Sequence, residues 1–283
     1  MGTLYVVATP IGNLNDFSKR GIETLSKADL ILAEDTRHTI NLLNHFNIKN
    51  KMVSYHKFNE TRRGIEVIQR LKEGLTVALV SDAGTPCISD PGYIIVKMAR
   101  EEGIKVIGIP GASAVITSLS VSGLDTSCFS FYGFVPTENK LRKALFKELK
   151  TANVPTKVLY ESPKRILKLL KDINKEIPGC VVCVCNEITK VHESSIYGKT
   201  DDVINQLQEN TAFDKGEYTI IINNKKEEQE KVTKISLEAL IVDEVIKNNC
   251  SLKDAVEKVN ESNKEVSKKE IYSANLNLKN ILR

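Results

Sequence analysis

Over the first 115 positions the apolar residues follow two rhythms. Four short runs are apolar at nearly every position: "TLYVVAT" (3–9), "DLILAE" (29–34), "LTVALV" (75–80) and "IKVIGIP" (104–110). Between and after them apolar residues recur every three to four positions, as in "KRGIETLSKA", "TINLLNHFNI", "RGIEVIQRLKEG", "YIIVKMAREEG" and "GASAVITSLSVSG". Continuous runs predict strands buried on both faces, and the longer period predicts amphipathic helices. Their alternation predicts a mostly parallel sheet covered on both sides.

The pattern restarts near "CFSFYGF" (128–134), with further strands in "TKVLYE", "GCVVCVCNE" and "GEYTIIINN". In "NKLRKALFKELK" the spacing sets Leu141, Ala144, Leu145 and Leu149 on one helical face and Lys140, Lys143, Lys147 and Lys150 on the other. Ser162 and Pro163 suit the cap and first position of a second helix, whose Lys164, Lys168, Lys171 and Lys175 share a face. This half predicts a second α/β unit. Beyond a charged linker, "KKEEQEKVTK" (225–234), everything is helical in pattern, and Ser251 with Asp254 and Ser267 with Glu270 are capping-box starts. Two short helices joined by "NESNKE" resemble a helix-turn-helix; a small helical cap without nucleic-acid contacts is the equal alternative. The expected division is 1–115, 116–228 and 229–283. A length of 283 residues fits more than one domain at roughly 100–200 residues each.

Composition removes several classes. No stretch approaches the ~20 apolar residues of a membrane span, and the first residues lack a basic leader, so a cytoplasmic protein is expected. The six cysteines form no paired C-x-x-C set. Cys180 and Cys183 have that spacing, but within "CVVCVC" they read as small apolar residues of a buried strand. The four His do not cluster either, so no metal site is expected. The net charge of +4 is unevenly spread: between Thr137 and Lys175 eleven Lys and Arg face four acidic residues, a local +7. A basic surface of that kind predicts a polyanionic partner.

Three predicted strands end in unusual loops, "ATPIGNLND", "SDAGTPCISDPG" and "PGASA". Ligands of open α/β sheets bind at the carboxyl ends of strands, and small residues let backbone approach a ligand. Neither G-x-G-x-x-G after the first strand nor G-x-x-x-x-G-K-[ST] occurs, so the standard pyrophosphate cradles are missing. A small-cofactor cleft without a pyrophosphate remains, and S-adenosylmethionine fits that description.

"TPIGNLND", "LILAEDTRHT", "SDAGTPCISDPG", "GASAVITSLSVSGL", "FYGFVP", "YESPKRI" and "NEITKVHESSIYG", in this order from about Thr3 to Asn224, resemble the tetrapyrrole methylase superfamily, and within it the branch acting on small-subunit rRNA. One departure is Ala112, where many relatives have Pro. The resemblance implies two α/β domains with a cofactor cleft between them, a helical C-terminal extension and a homodimer. It implies 2′-O-methylation, from S-adenosyl-L-methionine, of a cytidine in the decoding region of 16S rRNA. It puts Pro10, Asp82, Ala83, Gly84, Thr85, Ser113 and Ala114 beside the cofactor, with Tyr160 and Glu217 on the side of the second domain. Asp90 is then expected to cap the next helix, with Pro91 at its first position. Glu34, Asp35, Arg37 and His38 are candidates for chemistry: Asp35 as proton acceptor, rivalled by Glu161 and Glu187, and Arg37 as a phosphate clamp. Arg37, His38, Lys143, Lys147, Arg165 and Lys168 are the expected RNA contacts. The competing readings are a methyltransferase of the same fold acting on a tetrapyrrole or other small molecule, and a non-enzymatic rRNA-binding assembly factor.

Overall fold

The structure, a computed structural model, describes residues 1–209, 216–224, 236–262 and 266–281. Two compact units divide the chain, Met1–Asn224 and Lys225–Arg283. The charged linker 225–234 and the expected boundary at 228/229 lie outside the described residues.

The larger unit holds two five-stranded sheets. The first contains β1 (Thr3–Val7), β2 (Leu30–Ala33), β3 (Met52–Ser54), β4 (Val77–Val80) and β5 (Lys105–Ile109), in the order β3-β2-β4-β1-β5. Every pair is parallel. Helices α1 (Lys19–Lys27), α2 (Thr36–His45), α3 (Glu60–Lys72), α4 (Tyr93–Glu101) and α5 (Ala114–Val121) connect or follow these strands. All four residues of β2 and all four of β4 are buried, as their unbroken apolar runs require. Leu4, Leu32, Leu71, Leu79 and Ile95 pack in one cluster, and Val7, Ile31, Leu43, Ala78 and Val80 in another. Alternate residues of one strand thus feed opposite layers, each buried Leu or Ile contributing about 1.5–3 kcal/mol.

The second sheet contains β6 (Phe129–Phe134), β7 (Thr156–Glu161), β8 (Val181–Asn186), β9 (Ser194–Lys199) and β10 (Tyr218–Asn223), in the order β6-β7-β10-β8-β9. Only β6 and β7 are parallel; the other pairs are antiparallel. Cys183 and Cys185 lie buried along β8. Helices α6 (Asn139–Thr151), α7 (Ile166–Glu176) and α8 (Thr200–Glu209) complete the unit. In α6 the inward face differs from the expected one. Leu141 and Ala144 are exposed, while Phe146 and Leu149 are buried and Arg142 and Leu145 half-buried. Arg142 turns inward because Asp172 of α7 accepts from it at 2.7 Å and Phe146 lies under its guanidinium. The lysine faces stand as expected: Lys140, Lys143, Lys147 and Lys150 on α6, and Lys164, Lys168, Lys171 and Lys175 on or before α7, are all exposed.

The smaller unit has α9 (Leu237–Asn248), α10 (Leu252–Ser262) and α11 (Lys268–Ile281). They share a core of Ile241, Ala255, Val259, Ile271, Ala274 and Leu278. Both expected caps form. The Ser251 hydroxyl accepts from the Asp254 N–H at 3.3 Å, and the Glu270 carboxylate accepts from the Ser267 N–H at 3.0 Å. Among the described residues no helix is long and apolar enough to cross a membrane.

Candidate active site

The carboxyl ends of β1, β4 and β5 are knitted together by hydrogen bonds. The Thr9 N–H donates to the Gly84 carbonyl at 2.8 Å, and the Gly84 N–H returns a bond to the Thr9 carbonyl at 3.0 Å. The Thr9 hydroxyl donates to the Ser81 carbonyl at 3.3 Å. The Thr85 hydroxyl donates to the Ala112 carbonyl at 3.2 Å, joining this loop to the one after β5. Gly84 has a φ of +77°, the left-handed region that glycine adopts without strain. Asp82 accepts from the Asp35 N–H at 3.0 Å and so ties in the loop after β2. Four loops become one wall.

The second sheet supplies the facing wall. Its parallel strands β6 and β7 end at Phe134 and Tyr160–Glu161, β10 begins at Tyr218, and β8 runs into Glu187–Lys190. Together the walls enclose a cavity of about 270 Å³. Its lining includes Asp82, Ala83, Gly84, Thr85, Ser113, Ala114, Tyr160 and Glu217, all expected from the sequence. Pro10 is not among the lining residues; its neighbour Ile11 is. Glu34, Ile88, Ser89, Asp90, Phe134, Glu187 and Lys190 also line it. Four residues beside the cavity hold positive φ without being glycine: Cys87 (71°), Ser89 (72°), Glu187 (51°) and Thr189 (71°). Strain of this kind costs of order 1–3 kcal/mol per residue and gathers at functional sites.

The cavity is acidic. Among the described residues, Glu34, Asp82, Asp90, Glu187 and Glu217 face one cation, Lys190, and that cation pairs with Glu187 at 2.7 Å. Burial pushes the Asp90 carboxyl up to about 6, the charge of Glu34 adds to it, and a hydrogen bond from Ser81 partly offsets it. Burial also raises Glu34, with Asp82 next in importance. Burial, then the charge of Asp90, lifts the Tyr160 phenol to about 12. A surplus of carboxylates favours a cationic ligand, and the small side chains of Ala83, Gly84, Ser113 and Ala114 leave room for a nucleoside against backbone. The lining therefore fits a sulfonium nucleoside such as S-adenosylmethionine.

Asp90 corrects one expectation. Helix α4 is capped at Gly92, which has a φ of 133° and no side-chain cap of its own. The Gly92 N–H donates instead to the buried Glu60 carboxylate of α3 at 2.8 Å. Glu60 does the capping, Pro91 lies outside the helix, and Asp90 turns into the cavity.

The candidates for chemistry and RNA binding are spread more widely. Glu34 lines the cavity and Asp35 does not. Asp35 caps α2 by accepting from the Arg37 N–H at 2.8 Å, and its carboxylate holds the Arg37 guanidinium at 2.6 Å. These bonds pull the Asp35 carboxyl down to about 2. The Arg37 side chain is 90% exposed, and His38, Lys143, Lys147 and Lys168 are exposed too. Arg165 is engaged from below by the fully buried Glu161 at 2.6 Å, while Glu161 Oε2 has no hydrogen-bond partner among the described residues. Phe134, Ile88 and Lys190 carry no local pattern that marks them as lining residues, although each lies in a segment that resembles the family.

The fold is that of a methylase. The chain belongs to the tetrapyrrole methylase family: the family described as "Tetrapyrrole (Corrin/Porphyrin) Methylases" matches residues 3–204. Within it the chain is 44% identical over 275 residues to "Ribosomal RNA small subunit methyltransferase I" of Halalkalibacterium halodurans, covering 96% of this chain and 94% of that one. It is 43% identical over 257 residues to the protein of the same description from Buchnera aphidicola subsp. Schizaphis graminum, covering 90% and 89%. A solved structure of uroporphyrin-III C-methyltransferase from Thermus thermophilus, complexed with S-adenyl homocysteine, matches with a TM-score of 0.53 over 78% of this chain and 97% of that one. At 16% identity that likeness concerns the fold alone.

Proposed function

We propose that this protein transfers a methyl group from S-adenosyl-L-methionine to the 2′-hydroxyl of a cytidine in the decoding region of 16S rRNA, in the cytoplasm and as a homodimer. The observation that carries the reading is an acidic cavity walled by small-residue loops in a chain closely related to small-subunit rRNA methyltransferases. Asp82 to Thr85, Ser113 and Ala114 would hold the cofactor from one side and Tyr160 and Glu217 from the other, with Pro10 shaping the end of β1. When bound, the cofactor supplies an electrophilic methyl carbon on a positively charged sulfur. The carboxylates around it favour that charge and keep the cation oriented.

A ribose hydroxyl is a poor nucleophile, so its placement and a proton acceptor both matter. A positioned base contributes about 10²–10⁴-fold. We assign the proton to Asp90, with Asp35 as the competing acceptor. Asp90 lines the cavity, and at about 6 it is ionised yet still basic near neutral pH. The Asp35–Arg37 pair then serves the rim, where Arg37 and His38 can meet phosphate. Lys143, Lys147 and Lys168, exposed on the helices of the second sheet, are further phosphate contacts, and so is Arg165 through the part of its side chain that Glu161 leaves open.

The test is mass-spectrometric mapping of ribose methylation on rRNA from cells with and without the protein, paired with label transfer from the cofactor to purified small subunits. We expect one cytidine methyl group to disappear with the protein. An unchanged map, or label passing only to a tetrapyrrole, rejects the reading.

A further inference from the structure

The facing wall of the cavity ends in an aromatic edge. Phe134 lines the cavity, yet 52% of it is exposed. Tyr160 lies beside it, ring centroids 5.4 Å apart and planes at 58°. Phe131 packs edge-on against Tyr160 at 4.9 Å and fixes it from within the sheet. Ile88, 48% exposed, belongs to the same lining but comes from the loop after β4. An apolar slot thus opens between the two walls.

The topology ties this slot to the basic helices. Because β6 and β7 are parallel, Phe134 and Tyr160 emerge at the same end of the sheet. From there β6 leads into α6, and β7 leads through the Pro163–Arg165 turn into α7. The exposed Lys140, Lys143, Lys164 and Lys168 stand on those outgoing segments, and none of the four has an ion pair among the described residues. An exposed ring with cations on the segments leaving it is the combination that single-stranded RNA requires: a stacking surface for a base and charges for phosphates.

We propose that Phe134, supported by Tyr160 and faced by Ile88, is the platform on which the base of the target nucleotide stacks. The proposal rests on the RNA reading above. A cavity of about 270 Å³ walled by both sheets does not admit a stacked helix. The ribose must therefore be drawn out, and its base needs a surface to replace the stacking it loses.

The experiment uses the full chain and purified small subunits, comparing wild type, Phe134→Ala and Phe134→Trp. Phe134→Ala should lower kcat/KM for methyl transfer about 10- to 100-fold, leave the cofactor Kd from calorimetry within about twofold, and keep the wild-type circular dichroism. Phe134→Trp should recover most of the loss. An alanine variant with unchanged kcat/KM overturns the proposal and leaves the RNA reading standing. So does one whose cofactor affinity falls in step with its activity, since the ring would then serve the cofactor. A wild-type protein inactive on small subunits removes the RNA reading and this proposal with it.

Discussion

At about 6, the proton affinity of Asp90 brings its titration into the range where most enzymes are assayed. Its ordinary value is 3.8, so the folded protein binds this proton more tightly than the unfolded chain does. Its contribution to stability is therefore complete below about pH 4 and lost as the pH rises through about 6. Asp90→Asn should remove that loss: the Tm of the variant should change less than that of wild type between pH 5 and pH 7.5, while methyl transfer falls about 10²–10⁴-fold. Melting curves at the two pH values and single-turnover rates check both halves; a fully active variant removes Asp90 from the chemistry. The wild-type pH profile separates the two acceptors. A rate that falls below about pH 6 identifies Asp90. A rate flat down to pH 4 points to Asp35, which Arg37 holds at about 2.

The basic helices make their own prediction. Reversing Lys143, Lys147 and Lys168 to Glu should weaken binding to small subunits and flatten its dependence on salt, because each lost phosphate contact lowers the slope of log K against log [salt] by roughly 0.7–0.9. Filter binding between 50 and 200 mM salt measures it, and an unchanged slope returns these lysines to the role of a solvated face. Both lysine faces were legible in the sequence, since a helical period of charge survives folding at a surface. The inward face of α6 was not. Two registers satisfy its local period, and the choice depends on Asp172, thirty positions away in the chain. Strand β9 escaped for a related reason: "SSIYGK" is half-exposed along its length and lacks the apolar run that marked β2 and β4. Asp90 followed the local rule for a cap and was displaced by Glu60, a partner from α3. Three of the four loops of the first wall could be read because small residues at strand ends are a local pattern. Phe134 and Lys190 meet them only through tertiary folding.

For the molecule as a whole, each unit has a core of its own. The helical unit closes on Ile241, Ala255, Val259 and Ile271. A core of that size is marginal, so α9–α11 should open first. Hydrogen exchange should show lower protection there than in β1 and β4, and a chain ended after Asn224 should keep the wild-type protection of the two sheets. Uniform protection across the protein contradicts this. The construction of the cavity carries one more consequence, for evolution. Its first wall is joined largely through main-chain groups: Thr9 and Gly84 exchange N–H and C=O, and Ala112 offers Thr85 a carbonyl. A carbonyl is the same on alanine and proline, so the residue at position 112 can change and leave the bond from Thr85 in place. The mouth is made of side chains, Phe134, Tyr160 and Ile88, where one codon alters what is met. Such a scaffold can keep its donor constant while acquiring new acceptors, a division that lets one family diversify without reinventing its chemistry.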